Sequence, residues 1–171
     1  AVDAVNGAGS YIVPRLLEKL GCTVVRVHCE PDGTFPRGPE PLPQNLGDLQ
    51  TAVKKNGCAV GFAVDPDADR CAIVDGTGKA IGEEYTLAIS ADEVLSQKKG
   101  SVCVNLSTSR MNEDVAEKYG VEFSRAKVGE INVSLQMVQN KCIIGGEGNG
   151  GVILPVLHYG RDSLVAAALV L

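Results

Sequence analysis

Three aspartates at alternate positions, Asp65, Asp67 and Asp69, follow the apolar run Ala59 to Val64 and are closed by Arg70, giving the segment DPDADR. Carboxylates this close raise one another's pKa or repel unless a cation stands among them. In an extended or looped segment, positions i, i+2 and i+4 converge on one point, which helical spacing does not allow. Magnesium suits such a point, because it takes oxygen ligands at about 2.0–2.1 Å in octahedral geometry and keeps places for water or phosphate. The planar fork of Arg70 matches phosphate oxygens and offsets the acidic charge. A plain salt bridge to a neighbouring aspartate is the alternative reading of that arginine.

Other carboxylate designs fit less well. An EF-hand also has Asp at its first, third and fifth loop positions, but it needs Gly at the sixth and Glu at the twelfth, where this chain has Arg70 and Gly76. A haloacid-dehalogenase-type phosphatase also sets Asp-x-Asp after an apolar strand, yet expects Thr or Val where Asp69 stands. A merely solvated acidic turn leaves three alternating aspartates and an adjoining arginine unexplained.

A second group lies in Gly145 to Gly151, GGEGNGG, where five glycines surround Glu147 and Asn149. Glycines let backbone approach a ligand closely, and a carboxylate with an amide can bond hydroxyls, which is the inventory of a sugar contact. A bland glycine turn between strands is the competing interpretation. Ser107, Thr108, Ser109 and Arg110 follow one apolar run, and Lys127, Gly129 and Glu130 follow the next. Ser109 stands equally well as a helix cap. Arg161, Asp162 and Ser163 are read as opening a final helix, with capping as their role, and His28 and His158 as structural.

The elements that must position these groups repeat. Ala1 to Val5 reads as a strand, Ser10 to Leu20 as a helix capped by Ser10, Thr23 to His28 as a strand, Asn45 to Asn56 as a helix and Ala59 to Val64 as a strand. Five prolines and two glycines exclude regular structure over Glu30 to Pro43. After a hairpin turn at Gly76 to Lys79 and a helix over Glu84 to Lys99, the order returns: strand Val102 to Leu106, helix Arg110 to Tyr119, strand Val121 to Ser124, helix Glu130 to Gln139, strand Cys142 to Ile144. Each third strand leads into its special loop and then another strand, Cys71 to Asp75 or Val152 to Leu154. Strand–helix alternation implies right-handed crossovers. The expected fold class is therefore α/β: two tandem three-layer α/β domains with mainly parallel mixed sheets, 1–82 and 83–171. Ligands gather beyond the carboxyl ends of such strands.

Composition narrows the partners. A formal net charge of -5 without a basic tract argues against nucleic acid or an anionic membrane surface. No apolar run reaches the ~18 residues of a membrane span. Six cysteines without a CxxC pair suggest reduced thiols and a cytoplasmic setting. The apolar ends suggest a piece of a longer polypeptide with a truncated final helix.

Taken together, the segments resemble the α-D-phosphohexomutases: phosphoglucomutase, phosphomannomutase and phosphoglucosamine mutase. VDAVNGAGS resembles the opening of their second domain, and DPDADR resembles their DGDGDR metal loop. STSR and KVGE resemble third-domain segments, and GEGNGG with GRDSLVAA resembles the sugar loop and the helix after it. The resemblance implies a four-domain enzyme in which a phosphoserine exchanges phosphate with a hexose phosphate of glucose, mannose or glucosamine. It further implies Mg2+ on Asp65, Asp67 and Asp69, with Arg70 at the transferred phosphate. Glu147, Gly148 and Asn149 would sit at the sugar, with Lys127, Glu130 and Arg110 as further substrate contacts. Many relatives have GE-x-S-G-H where this chain has Asn149 and Gly151. The serine loop and the terminal phosphate-binding domain lie outside these residues, so the chain alone is expected to bind metal weakly and not to turn over substrate. A non-catalytic sugar-phosphate or metal-binding module, and a phosphatase, are the alternatives.

Overall fold

β-Branched and small apolar residues dominate the strands, and the computed structural model, which describes residues 1–171, builds them into two four-stranded sheets. The first contains β1 (Val2–Asp3), β2 (Arg26–Val27), β3 (Val60–Val64) and β4 (Cys71–Asp75) in the order β2-β1-β3-β4. β1 runs parallel to β2 and β3, whereas β4 returns antiparallel to β3. The second contains β5 (Val102–Asn105), β6 (Phe123–Ala126), β7 (Ile144–Glu147) and β8 (Gly151–Ile153) in the order β6-β5-β7-β8, with the same directions. The repeat in sequence is thus a repeat in topology. The compact units are Ala1–Glu83 and Glu84–Leu171.

Helices α1 (Gly9–Lys19) and α2 (Gly47–Asn56) serve the first unit, and α3 (Glu84–Gln97), α4 (Met111–Tyr119), α5 (Glu130–Gln139) and α6 (Ser163–Val170) the second. Leu49 and Val53 of α2 pack on Ala63, Ala72 and Val74 of the first sheet. Val133 and Met137 of α5 do the same on Cys103, Ala126 and Ile153. No helix is long and apolar enough to cross a membrane.

Several boundaries differ from the sequence expectation, for local reasons. β2 is cut to two residues because His28 turns to φ 45°. β6 begins at Phe123 because Gly120, at φ 64°, and Val121 close the end of α4, the Val121 amide donating to the Ala116 carbonyl at 3.1 Å. Likewise the Cys142 amide is spent on the Met137 carbonyl at 2.9 Å, so β7 starts two residues late and runs through Gly145 and Gly146 into Glu147. Ser10 is not the cap of α1: it lies inside the helix, and its hydroxyl donates to the Gly7 carbonyl at 2.8 Å.

Candidate functional site

The end of β3 delivers Asp65 into the interior, fully buried, and this residue folds the loop that follows. Its Oδ1 accepts the amides of Asp69 at 3.1 Å and Arg70 at 3.0 Å, while its carbonyl accepts the Ala68 amide at 3.0 Å. Ala68 is held at φ 60°, the left-handed conformation that favours glycine. The turn after β1 supports the loop from below: the Ala8 amide donates to the Pro66 carbonyl at 2.7 Å, and a Cβ on Gly7 would lie 2.5 Å from that same oxygen.

The result is convergence. Asp65, Asp67 and Asp69 each offer a carboxylate oxygen, and these three atoms lie within 4.8 Å of one another. Oxygens on opposite sides of a magnesium ion are about 4 Å apart, twice the ~2.0–2.1 Å bond, so this hard, acidic donor set fits such an ion in size and charge. Asp67 is the exposed member, Asp69 is half-buried.

Arg70 stands at the rim. Its Nε donates to Asp65 Oδ2 at 2.5 Å, and Nη1 and Nη2 reach the Glu40 carboxylate at 2.9 and 3.3 Å. Asp69 Oδ1 is 3.6 Å from Nε. Burial lowers the guanidinium pKa, but the hydrogen bonds to Glu40 and Asp65 outweigh it, and the group is held above its ordinary range. The salt-bridge reading of Arg70 is thus present, with Nε on Asp65 and both outer nitrogens on Glu40. Glu40 carried no signal in the sequence, since its approach depends on the path of the proline-rich segment. The same is true of Arg37, whose Nη2 donates to the Val64 carbonyl at 2.7 Å, just before the loop.

In the second unit the picture of a glycine loop presenting two side chains needs correction for Glu147. It is the last residue of β7 and only 4% exposed. Its Oε1 accepts from Asn105 Nδ2 at 2.7 Å and the Gly129 amide at 3.1 Å, and its Oε2 accepts from Arg161 Nη1 at 2.7 Å. Asn105 is in turn oriented by Thr108, whose hydroxyl donates to its Oδ1 at 2.6 Å and accepts the Gly148 amide at 2.9 Å. Asn149 is half-buried, and its Oδ1 accepts the Gly151 amide at 3.3 Å.

Arg161 was read as a cap, but Asp162 does that work, accepting the Leu164 and Val165 amides at 2.7 and 3.1 Å. Arg161 instead bridges Glu147 and Glu130, its amide donating to Glu130 Oε1 at 2.8 Å. Gly151 makes this possible, because a Cβ there would lie 2.3 Å from Arg161 Cδ. Glu130 is thereby joined to the Glu147 network. Lys127 is exposed, and Arg110 lies along α4 with Asp114 at 3.0 Å and Glu117 at 3.8 Å. Ser109 does not cap α4; its amide donates to Glu84 Oε2 at 3.0 Å. His28 sits between Asp3 and Asp48, and His158 pairs with Asp162.

Comparison with known proteins places both halves. Residues 1–78 match the family model for phosphoglucomutase/phosphomannomutase, alpha/beta/alpha domain II, and residues 82–171 match that for domain III. A phosphoglucomutase/phosphomannomutase of Thermococcus kodakarensis is 43% identical over 98% of this chain, and a probable phosphoglucosamine mutase of Methanopyrus kandleri is 38% identical over the same share. In both cases the chain spans 37% of the relative's length. A phosphoglucomutase/phosphomannomutase family protein from Burkholderia thailandensis superposes with a TM-score of 0.89 at 31% identity, covering 99% of this chain and 38% of that one. With its tandem sheets, acidic loop and buried Glu147 network, the chain belongs to the phosphoglucomutase/phosphomannomutase family and corresponds to its domains II and III.

Proposed function

We propose that residues 1–171 supply the metal loop and the sugar loop of a phosphohexose mutase, an enzyme moving phosphate between C1 and C6 of a hexose phosphate. In this reading 1–82 is the metal-binding domain and 83–171 the sugar-binding domain, and the phosphoserine belongs to a further part of the polypeptide. The observation that carries it is the convergence of Asp65, Asp67 and Asp69 beside the Arg70 fork, in a chain of this family.

Asp65, Asp67 and Asp69 would hold Mg2+, which when bound neutralises phosphate charge and fixes its position. Arg70 contributes a rigid bidentate donor for the phosphate oxygens. Buried Asp65 keeps Nε of that arginine fixed, so the fork needs little reorganisation. Glu147, paired with Arg161 and oriented by Asn105, accepts from sugar hydroxyls, and Asn149 with the Gly148 backbone completes the contact. Lys127, Glu130 and Arg110 are further substrate contacts, Arg110 after leaving Asp114. The substrate is a phosphate of glucose, mannose or glucosamine, and six free thiols accord with a reducing cytoplasm.

The test is a polypeptide carrying these two domains together with the serine-bearing domain, supplied with a hexose 1-phosphate. Formation of the 6-phosphate, abolished by Asp67→Asn, is the expected outcome. Undiminished conversion by Asp67→Asn, or release of free phosphate instead of the isomer, sinks the proposal.

A further inference from the structure

The proline-rich segment 30–43 is pinned rather than loose. Arg37, its side chain 6% exposed, donates from Nε to buried Asp3 at 3.0 Å and from Nη2 to the Val64 carbonyl at 2.7 Å. The segment is thereby fastened to the strand that carries the metal loop. Asn45 Nδ2 donates to the Glu40 carbonyl at 2.8 Å, and Pro39 and Pro41 fix φ on either side. The backbone of Glu40 is thus set in place, while its side chain, 52% exposed, meets the outer nitrogens of Arg70 at 2.9 and 3.3 Å.

Carboxylate and phosphate offer a guanidinium fork the same pair of oxygens. Arg70 keeps Nε on fully buried Asp65 and gives Nη1 and Nη2 to Glu40. The inner bond is therefore protected from solvent and the outer one is exchangeable. We propose that Glu40 is an affinity-setting positioning residue: its carboxylate holds the Arg70 fork in a phosphate-ready orientation and must be displaced when a phosphate monoester takes the same two nitrogens. This rests on the reading of Arg70 as a phosphate contact.

The competition has a measurable size. Partly exposed ion pairs hold by about two- to fivefold, so removing the Glu40 charge tightens phosphate binding by about that factor. A residue of purely structural value would weaken binding when removed, so the direction discriminates. The 171-residue chain is titrated with inorganic phosphate while the 15N shifts of Arg70 are followed, for wild type, Glu40→Gln and Arg70→Lys, and Mn2+ affinity is measured on the same samples. Tighter phosphate binding by Glu40→Gln, with the response lost in Arg70→Lys, is expected. Equal or weaker binding by Glu40→Gln, or no response at Arg70, overturns the proposal. If Glu40→Gln fails to fold, Glu40→Asp, which shortens the reach, is held to the same direction. Loss of Mn2+ binding bears instead on the metal site, so a chain that binds Mn2+ normally but shows no Glu40 effect refutes this proposal alone.

Discussion

Gly7→Ala, in the turn after β1, should disturb the acidic loop without altering any carboxylate. The added Cβ would lie 2.5 Å from the Pro66 carbonyl oxygen and 2.8 Å from Pro66 Cα, both backbone atoms. Ordinary contact begins at 3.4 Å, so the loop must retreat by 3.4 − 2.5 = 0.9 Å or the turn after β1 must open. Either movement strains the 2.7 Å bond from the Ala8 amide to Pro66. Gly7 has no left-handed φ, so the whole penalty comes from contact. Overpacking of this kind costs about 1–3 kcal/mol. In a domain of this size, about 2 kcal/mol corresponds to a drop of roughly 8–16 °C in melting temperature. Gly57→Ala is the control: φ is 61° but nothing lies within 4 Å, so it should cost about 1 kcal/mol of backbone strain and leave metal binding alone. Thermal unfolding by circular dichroism and Mn2+ titration read both effects. A Gly7→Ala chain with unchanged melting and unchanged Mn2+ affinity would refute the reasoning.

Three further outcomes can be checked in the same chain. Ala68→Gly should stabilise the first unit by about 0.5 kcal/mol, because relief of left-handed strain, about 1–2 kcal/mol, exceeds the added unfolded-state entropy of about 0.4–1 kcal/mol; denaturant unfolding measures it, and a loss of stability contradicts it. Arg161→Met should destabilise the second unit by about 3 kcal/mol, since it strands the buried Glu147 carboxylate, and restoration by the double variant with Glu147→Gln is expected in urea melts. Alkylation of the native chain near pH 8, read by mass spectrometry, should modify Cys22, Cys29 and Cys58 but spare buried Cys71, Cys103 and Cys142. Burial pushes the Cys71 thiol up to about 12 and also raises Cys29, so thiolate at Cys29 grows in only as pH rises; rapid labelling of Cys71 would contradict the fold.

The elements were legible where the pattern is local. Helix α5 coincides with its expected span, Glu130 to Gln139, and both sheets have the expected alternation of strand and helix. Strand ends were less legible, because His28, Gly120 and Lys141 adopt positive φ and divert residues that have β propensity. Asp65, Asp67 and Asp69 were readable because their convergence is a matter of spacing within one loop. Glu147 was found, but its burial was not, since Asn105 and Arg161 reach it from 42 and 14 residues away. Glu40 escaped notice for the same reason, standing 30 residues before Arg70 in sequence.

The central claim is that the acidic loop is a cation site built to neutralise phosphate charge, and Asp67 allows the most direct test. It is exposed, whereas Asp65 also folds the loop, so Asp67→Asn removes a proposed ligand without removing a structural bond. Mn2+ titration of the 171-residue chain, followed by paramagnetic broadening of the loop amides, should show weak binding centred on residues 65–70, abolished by Asp67→Asn with the melting temperature unchanged. Broadening elsewhere, or equal binding by Asp67→Asn, would contradict it.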